Sequence, residues 1–360
     1  MDQTIKLLKV IGSPFCENNE NHLPLNEQEA SYLYFYAKKN KIALYYLKSL
    51  EERDLLETFG LKENFYKELE NHRRQSTTAI RIAELFNIEN IDYAIFKSLV
   101  PFPGTPNDVD IIHFGSSNEY ERAVEVMLKS GYVEVKGKVD TEQRMFHDVK
   151  TGGYLNPHPE KKDVFDIDLY QKISASYTIY LDKKKMQKHI CYTEFLGHRI
   201  RILKPEAELV AIIIHSIIPE MLCTLFVYYA TLYHIDGMSY DEINEFLDIA
   251  RENHVTFSIR SNFSVVAELH KAAHGFIPKK LEFILKKVNW NVNEKNILIK
   301  SVYIMPYKYS VSAVSRTLLD KFSDTEFKKS FMKQIIYMSN PKMAKWVINN
   351  IILRRQRETY

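Results

Sequence analysis

The sequence predicts an α+β protein: a small mixed β-sheet flanked by an N-terminal and a C-terminal helical region. Two observations predict it. Between Ile91 and about Leu203, short apolar runs alternate with period two and are bounded by Gly, Pro, Asn and Asp. On either side, longer segments carry apolar residues at helical spacing behind capping residues. The divisions expected are a helical region over 1–90, an α/β core over 91–204 and a helical region over 205–360.

Composition sets the outer bounds. At 360 residues the chain is long enough for two or three domains. A net charge of +3 is too small to argue for nucleic acid by itself. Cys16, Cys191 and Cys223 are far apart and lack CxxC spacing, which fits a reducing compartment and no zinc site. The N-terminus has no signal-peptide pattern. The longest apolar stretch, Leu209 to Ile235, is broken by His215, Pro219 and Glu220, so no membrane span is expected. The expected location is cytoplasmic.

In chain order, Asn26 caps a helix over Gln28–Lys39, with Ala30, Leu33, Tyr34 and Ala37 forming its apolar stripe. A long helix follows over Leu61–Phe86, and its His72-Arg73-Arg74 reads as a solvated face. In the α/β part, Ser117 caps a helix through Lys129 that Gly131 ends. Tyr132–Lys136 and Arg144–Val149 read as strands, Gly152-Gly153 as a turn and residues 156–162 as a loop. Tyr177–Lys188 is expected to be helical and Phe195–Leu203 a closing strand or hairpin arm. Beyond it, Pro205 opens a helix with Glu206 and Glu208 at its positive end. Further helices are expected over Ser239–Asn253, Ser261–His274, Lys279–Lys287, Val311–Phe322, Asp324–Met338 and Pro341–Arg355.

The chemistry concentrates in Asp92–Phe114. After the apolar run Tyr93–Phe96 come Lys97-Ser98, a Pro/Gly-rich connection, and then Asp108-Val109-Asp110-Ile111. On a strand, Asp108 and Asp110 project from one face, roughly 6 to 7 Å apart along the chain. Adjacent carboxylates repel unless a cation lies between them, and such a pair suits one or two Mg²⁺ ions on a nucleoside triphosphate. Val164–Tyr170 supplies a second strand with same-face acids, Asp166 and Asp168. Either could be the third carboxylate that a two-metal phosphoryl-transfer site needs. Lys97 and Ser98 are placed to contact phosphates.

These residues resemble the DNA polymerase β-type nucleotidyltransferase superfamily, and within it the nucleotidyltransferase-like group of bacteria and archaea. Lys97-Ser98 falls where that group carries its small-residue signature, about ten residues before an Asp-hydrophobic-Asp-hydrophobic pair that Asp108–Ile111 matches. Asp168-Leu169-Tyr170-Gln171-Lys172-Ile173 is similar to the group's later acid-Leu-His-Trp-basic-Leu run and favours Asp168 as the third ligand. The match covers roughly residues 80–235. It departs from the pattern at Ser98, where glycine is usual, at Thr105-Pro106-Asn107 before the acid pair, and at Tyr170, where histidine is common.

The resemblance implies a nucleotidyltransferase core and a metal-dependent enzyme. It would move a nucleoside monophosphate from an NTP to a hydroxyl of RNA, protein or a small molecule. Asp108, Asp110 and Asp168 would be catalytic, and with Asp166 the candidate ligands of Mg²⁺ or Mn²⁺. Two other classes stay open: a catalytically weak nucleotide- or RNA-binding module, and a toxin–antitoxin type interaction protein. Several residues are expected to be structural. His113 reads as packed or at the surface, His270 and His274 as surface histidines, His215 as a hydrogen-bonded core residue, and Tyr228, Tyr229 and Tyr233 as core. The basic clusters Lys183–Lys185, Arg199/Arg201/Lys204 and Arg354/Arg355/Arg357 read as solvated ends, with Arg199 and Arg201 sharing a strand face.

Overall fold

A seven-stranded mixed sheet divides two hydrophobic cores of unequal size. The computed structural model describes residues 2–16, 22–104, 108–135, 142–148, 166–175, 177–289, 297–298 and 303–341. Four helices come first: α1 (Gln3–Ile11), α2 (Glu27–Lys39), α3 (Ala43–Glu51) and α4 (Lys62–Ile88). The central part follows as β1 (Tyr93–Phe96), β2 (Asp108–His113), α5 (Ser117–Lys129), β3 (Tyr132–Glu134), β4 (Gln143–Asp148) and β5 (Asp166–Tyr170). After these come β6 (Ser174–Ala175), β7 (Thr178–Ile179), the short α6 (Lys183–Gln187), β8 (Ile190–Phe195) and β9 (His198–Leu203).

The last part is helical apart from two short strands. It comprises α7 (Pro205–Ile217), β10 (Leu222–Cys223), α8 (Leu225–Gly237), α9 (Tyr240–Glu252), α10 (Thr256–His274), α11 (Lys279–Lys287), β11 (Tyr307–Lys308), α12 (Val311–Lys321) and α13 (Thr325–Met338). The expected α+β class with helical flanks holds. Among the described residues no helix is long and apolar enough to cross a membrane.

The sheet order is β3-β4-β5-β2-β1-β9-β8. β1 and β2 are antiparallel, whereas β2 lies parallel to β5 and β1 parallel to β9. Strand alternation sorts the residues onto two faces. Tyr93, Ile95, Val109, Ile111, Ile167, Leu169 and Ile200 pack against Ala79, Ile82, Ala83 and Phe86 of α4 and Tyr120, Ala123, Val124 and Met127 of α5. Ala94, Phe96, Ile112 and Tyr170 face the other way and join the larger core, built from helices of both ends of the chain. Asp108, Asp110 and Asp168 share this second face by parity. A one-residue slip of β2 would turn both acids into the α4/α5 core, so the apolar alternation fixes their aim.

The caps follow side-chain chemistry. Asn26 accepts from the Glu29 backbone N–H, but the Glu29 carboxylate turns to Leu25 N–H and Lys6 and does not close a capping box. At α5 the cap is Ser116, one residue earlier than expected, with Glu119 completing a capping box. One expectation fails outright. Tyr177–Lys188 is not a helix but β7, a turn and five residues of α6, because Thr178 pairs back onto Ala175 and Asp182 starts the helix late. Helix α10 begins at Thr256, not Ser261. Gly152-Gly153, the loop 156–162, the helix over Pro341–Arg355 and Arg354/Arg355/Arg357 lie outside the described residues.

Candidate active site

The parallel register of β2 and β5 builds the acidic cluster. Asp108 stands opposite Asp166 and Asp110 opposite Asp168. Among the described residues, one carboxylate oxygen from each of Asp108, Asp110 and Asp168 lies within 4.8 Å of the others. Asp110 and Asp168 are buried and Asp108 is half-buried, so the cluster opens at the Asp108 end. Asp168 also accepts from Gln143 Nε2 on β4 at 2.5 Å.

Lys97 and Ser98, both buried, form the turn out of β1. The Lys97 backbone is left-handed, with φ of 58°, a region that costs energy for a residue with a Cβ. Two groups hold it there: its N–H donates to Glu208 Oε1, and its ammonium reaches inward. Nζ is 3.2 Å from Asp110 Oδ1 and 3.2 Å from His215 Nδ1, and it lies over the Phe96 and Tyr170 rings at 4.6 and 5.2 Å. The Ser98 hydroxyl donates to Phe96 O at 3.0 Å and accepts from Asp110 N–H at 2.8 Å, so it clamps the β1–β2 turn. Gln75 on α4 donates to the Ser98 and Asp108 carbonyls.

The electrostatics are those of three acids and a base in a dry place. Burial raises the Asp110 carboxyl to about 6; Lys97 opposes the rise and Asp108 adds to it. Burial works against the charge on Lys97, but Asp110, Tyr180 and Asp108 outweigh it and hold the ammonium above its ordinary range. Burial depresses His215 to about 4, with Lys97 adding to the shift. Its Nδ1 is therefore an acceptor for Lys97 and for the Tyr180 hydroxyl at 3.0 Å.

Glu208 is raised to about 8 by burial, against the pull of the Lys97 N–H. A carboxyl whose value is raised on folding binds a proton in the native state that the unfolded chain has released. Its contribution to stability therefore falls as pH rises from about 4.5 to about 8. We expect Glu208→Gln to flatten that fall. Thermal midpoints of the two proteins, taken across this window in chelator, check it; parallel curves would refute the assignment.

Sequence reasoning missed Gln75, Gln143 and Tyr180, and placed Glu208 only as a helix-end charge. None carries a local motif. His113 lies buried beside Tyr120, as a packed histidine. Tyr229 and Tyr233 are packed with Tyr45 and Phe102, and Tyr228 with Tyr229, as core residues. Arg73 and Arg74 pair with Glu70. Arg201 pairs with Asp92, at the end of β1 remote from Lys97, and both Arg199 and Arg201 lie against Tyr192. His270 corrects the expectation of a surface histidine, being fully buried where the chain after α1 and Phe276 close over the end of α10, while His274 is half-buried.

No protein-family model matches the chain, and no curated protein matches it. Among solved structures the chain is similar to an antigenic nucleotidyltransferase-like protein from Paracoccidioides brasiliensis, at 14% identity and a TM-score of 0.32, over 57% of this chain and 94% of that one. At that score the overlay does not establish a common fold.

Proposed function

We propose that the protein is a metal-dependent nucleotidyltransferase, with Asp108, Asp110 and Asp168 as its catalytic carboxylates. The observation that carries this reading is the convergence of their oxygens within 4.8 Å on one sheet face, largely out of water. Like charges buried at that range favour cations between them, and Lys97 supplies an ammonium to Asp110. Hard oxygen donors of this kind fit Mg²⁺ or Mn²⁺. Bound there, the metal would neutralise triphosphate charge and make an acceptor hydroxyl more acidic.

The chain's own residues then have distinct tasks. Asp108, at the open end, meets the nucleotide first. Asp110 and Asp168 hold the deeper position, with Gln143 fixing the orientation of Asp168. On this reading Asp168, the third carboxylate, would take the proton of an incoming hydroxyl. Ser98 sets the register of the turn, and Lys97, ion-paired to Asp110, sets the charge of the floor. The acceptor is RNA, protein or a small molecule with a free hydroxyl.

A second reading rests on the same Lys97–Asp110 pair, since an ammonium already neutralises one of the three acids. It makes the protein a nucleotide-binding module without transfer. Calorimetric titration of ATP, CTP, GTP and UTP with and without Mg²⁺ separates the two. The enzyme reading expects binding that needs Mg²⁺, followed by transfer of α-phosphate label to an acceptor. Binding that ignores Mg²⁺ favours the module, and no binding of any NTP by folded protein refutes both.

A further inference from the structure

Near the start of the chain, α1 ends at Gly12 and the backbone turns through Ser13 to Cys16. Gly12 adopts φ of 88°, and its carbonyl accepts from the buried Tyr229 hydroxyl at 3.1 Å. The Cys16 N–H closes the turn on Ser13 O at 3.1 Å. This turn lies against the last two turns of α10. There His270 and His274 are one helical turn apart and so present their rings side by side, with centroids 4.7 Å apart. One ligand atom each from Cys16, His270 and His274 lies within 4.8 Å of the other two.

His270 is set up as metal-bound histidines usually are. His270 Nδ1 is 2.8 Å from the Phe276 carbonyl, which can only accept, so the ring proton is on Nδ1. That leaves the Nε2 lone pair facing the turn, where it meets the Ser13 hydroxyl at 2.9 Å. A backbone carbonyl fixing the outer nitrogen is the recurrent support of an imidazole ligand. The Nε2 atom of His274 is buried and has no hydrogen-bond partner among the described residues. Phe15 and Phe276 pack edge-on against His270 and exclude water from one side. His270 is bonded at both ring nitrogens and the Cys16 thiol lies 3.8 Å from Ser13 O, so the buried His274 Nε2 is the atom of the three that packing leaves unsatisfied.

We propose that Cys16, His270 and His274 bind one Zn²⁺ ion that pins the turn after α1 to the C-terminal end of α10. A thiolate and two neutral imidazoles form a borderline-soft donor set that suits Zn²⁺ and disfavours Mg²⁺ or Ca²⁺. Binding releases the Cys16 thiol proton to solvent, and water fills the fourth tetrahedral position. The site is separate from the acidic cluster and does not depend on the nucleotidyltransferase reading. The wide spacing of the cysteines hides it in the sequence, because two ligands come from one helix and the third from a turn some 250 residues earlier.

The test uses the full chain, purified without chelator, and elemental analysis for zinc. The chelated protein is then titrated with Co²⁺ as a spectroscopic probe. We expect about one zinc per chain, and with Co²⁺ visible bands of a tetrahedral site plus a near-ultraviolet thiolate-to-metal band. Cys16→Ser should remove the thiolate band, and His274→Gln should weaken Co²⁺ binding at least about tenfold. Cys191→Ser and Asp108→Asn should leave both signals intact. Saturating Zn²⁺ should raise the thermal midpoint of wild type by several degrees and leave that of Cys16→Ser unchanged. Absence of zinc together with absence of a thiolate band overturns the proposal. So does a thiolate band that survives Cys16→Ser in protein of native circular dichroism.

Discussion

Asp110→Asn is expected to abolish Mg²⁺-dependent nucleotide binding and to lower transfer by at least about 10³-fold, equivalent to about 4 kcal/mol. Asp110 sits between Asp108 and Asp168 on the sheet face and supplies a buried oxygen to the cluster. An amide of the same shape keeps the β2 backbone bond to Ser98 but removes the charge that a divalent ion needs. Asp108→Asn and Asp168→Asn should behave alike. Asp92→Asn is the control: it lies on β1's far end, paired with Arg201, and should cost nothing in activity. Calorimetry with Mg²⁺ reads the binding and labelled NTP reads the transfer. An Asp110→Asn protein that binds and transfers like wild type would remove the acidic cluster from the mechanism.

Lys97→Met should destabilise the metal-free protein by about 3–5 kcal/mol, the range found when one member of a buried ion pair is removed. Methionine fills the space over Phe96 and Tyr170 but leaves Asp110 desolvated beside Asp108. Either side chain bears a similar cost at φ of 58°, so the backbone contributes little to the difference. Two further outcomes identify the cause as charge. Asp110 should take up its proton at still higher pH in this variant, so the loss should shrink as the solution is acidified. Adding Asp110→Asn to Lys97→Met should recover part of the loss, a coupling measurable in urea melts. Strict additivity of the two substitutions would show that Lys97 and Asp110 do not sense each other.

Much of this fold is legible in the sequence. Apolar spacing places α2, α4, α5, α9 and α11–α13, and Pro205 opens α7; at α2, α5, α9, α12 and α13 a polar side chain at the start also caps the helix. The Asp-Val-Asp-Ile alternation places β2 and its two faces. Legibility ends where partners are distant in the chain. Nothing near Glu208 announces that it meets the Lys97 N–H, and nothing near Gln143 announces Asp168. The helix expected over Tyr177–Lys188 fails for a related reason: Thr178 is claimed by Ala175, and its neighbour Ile179 is tied by its N–H to Ser330 on α13. His270 is the plainest case. On α10 alone it reads as a polar helical residue, and the turn after α1 together with Phe276 covers it.

The larger core draws on helices from both ends of the chain, and that has a consequence during synthesis. The Thr4 hydroxyl donates to the Tyr303 carbonyl, 299 positions later, and Asn40 donates to Met305 O. As the chain leaves the ribosome, the α4/α5 side of the sheet can close early, since its residues all lie between Ala79 and Ile200. Helices α1 to α3 can pack on one another and on α4, but the faces that meet α8 and α10 must wait until those helices have emerged. Contacts so far apart in sequence form slowly. The nascent N-terminal helices are therefore the segment that a chaperone would be expected to hold.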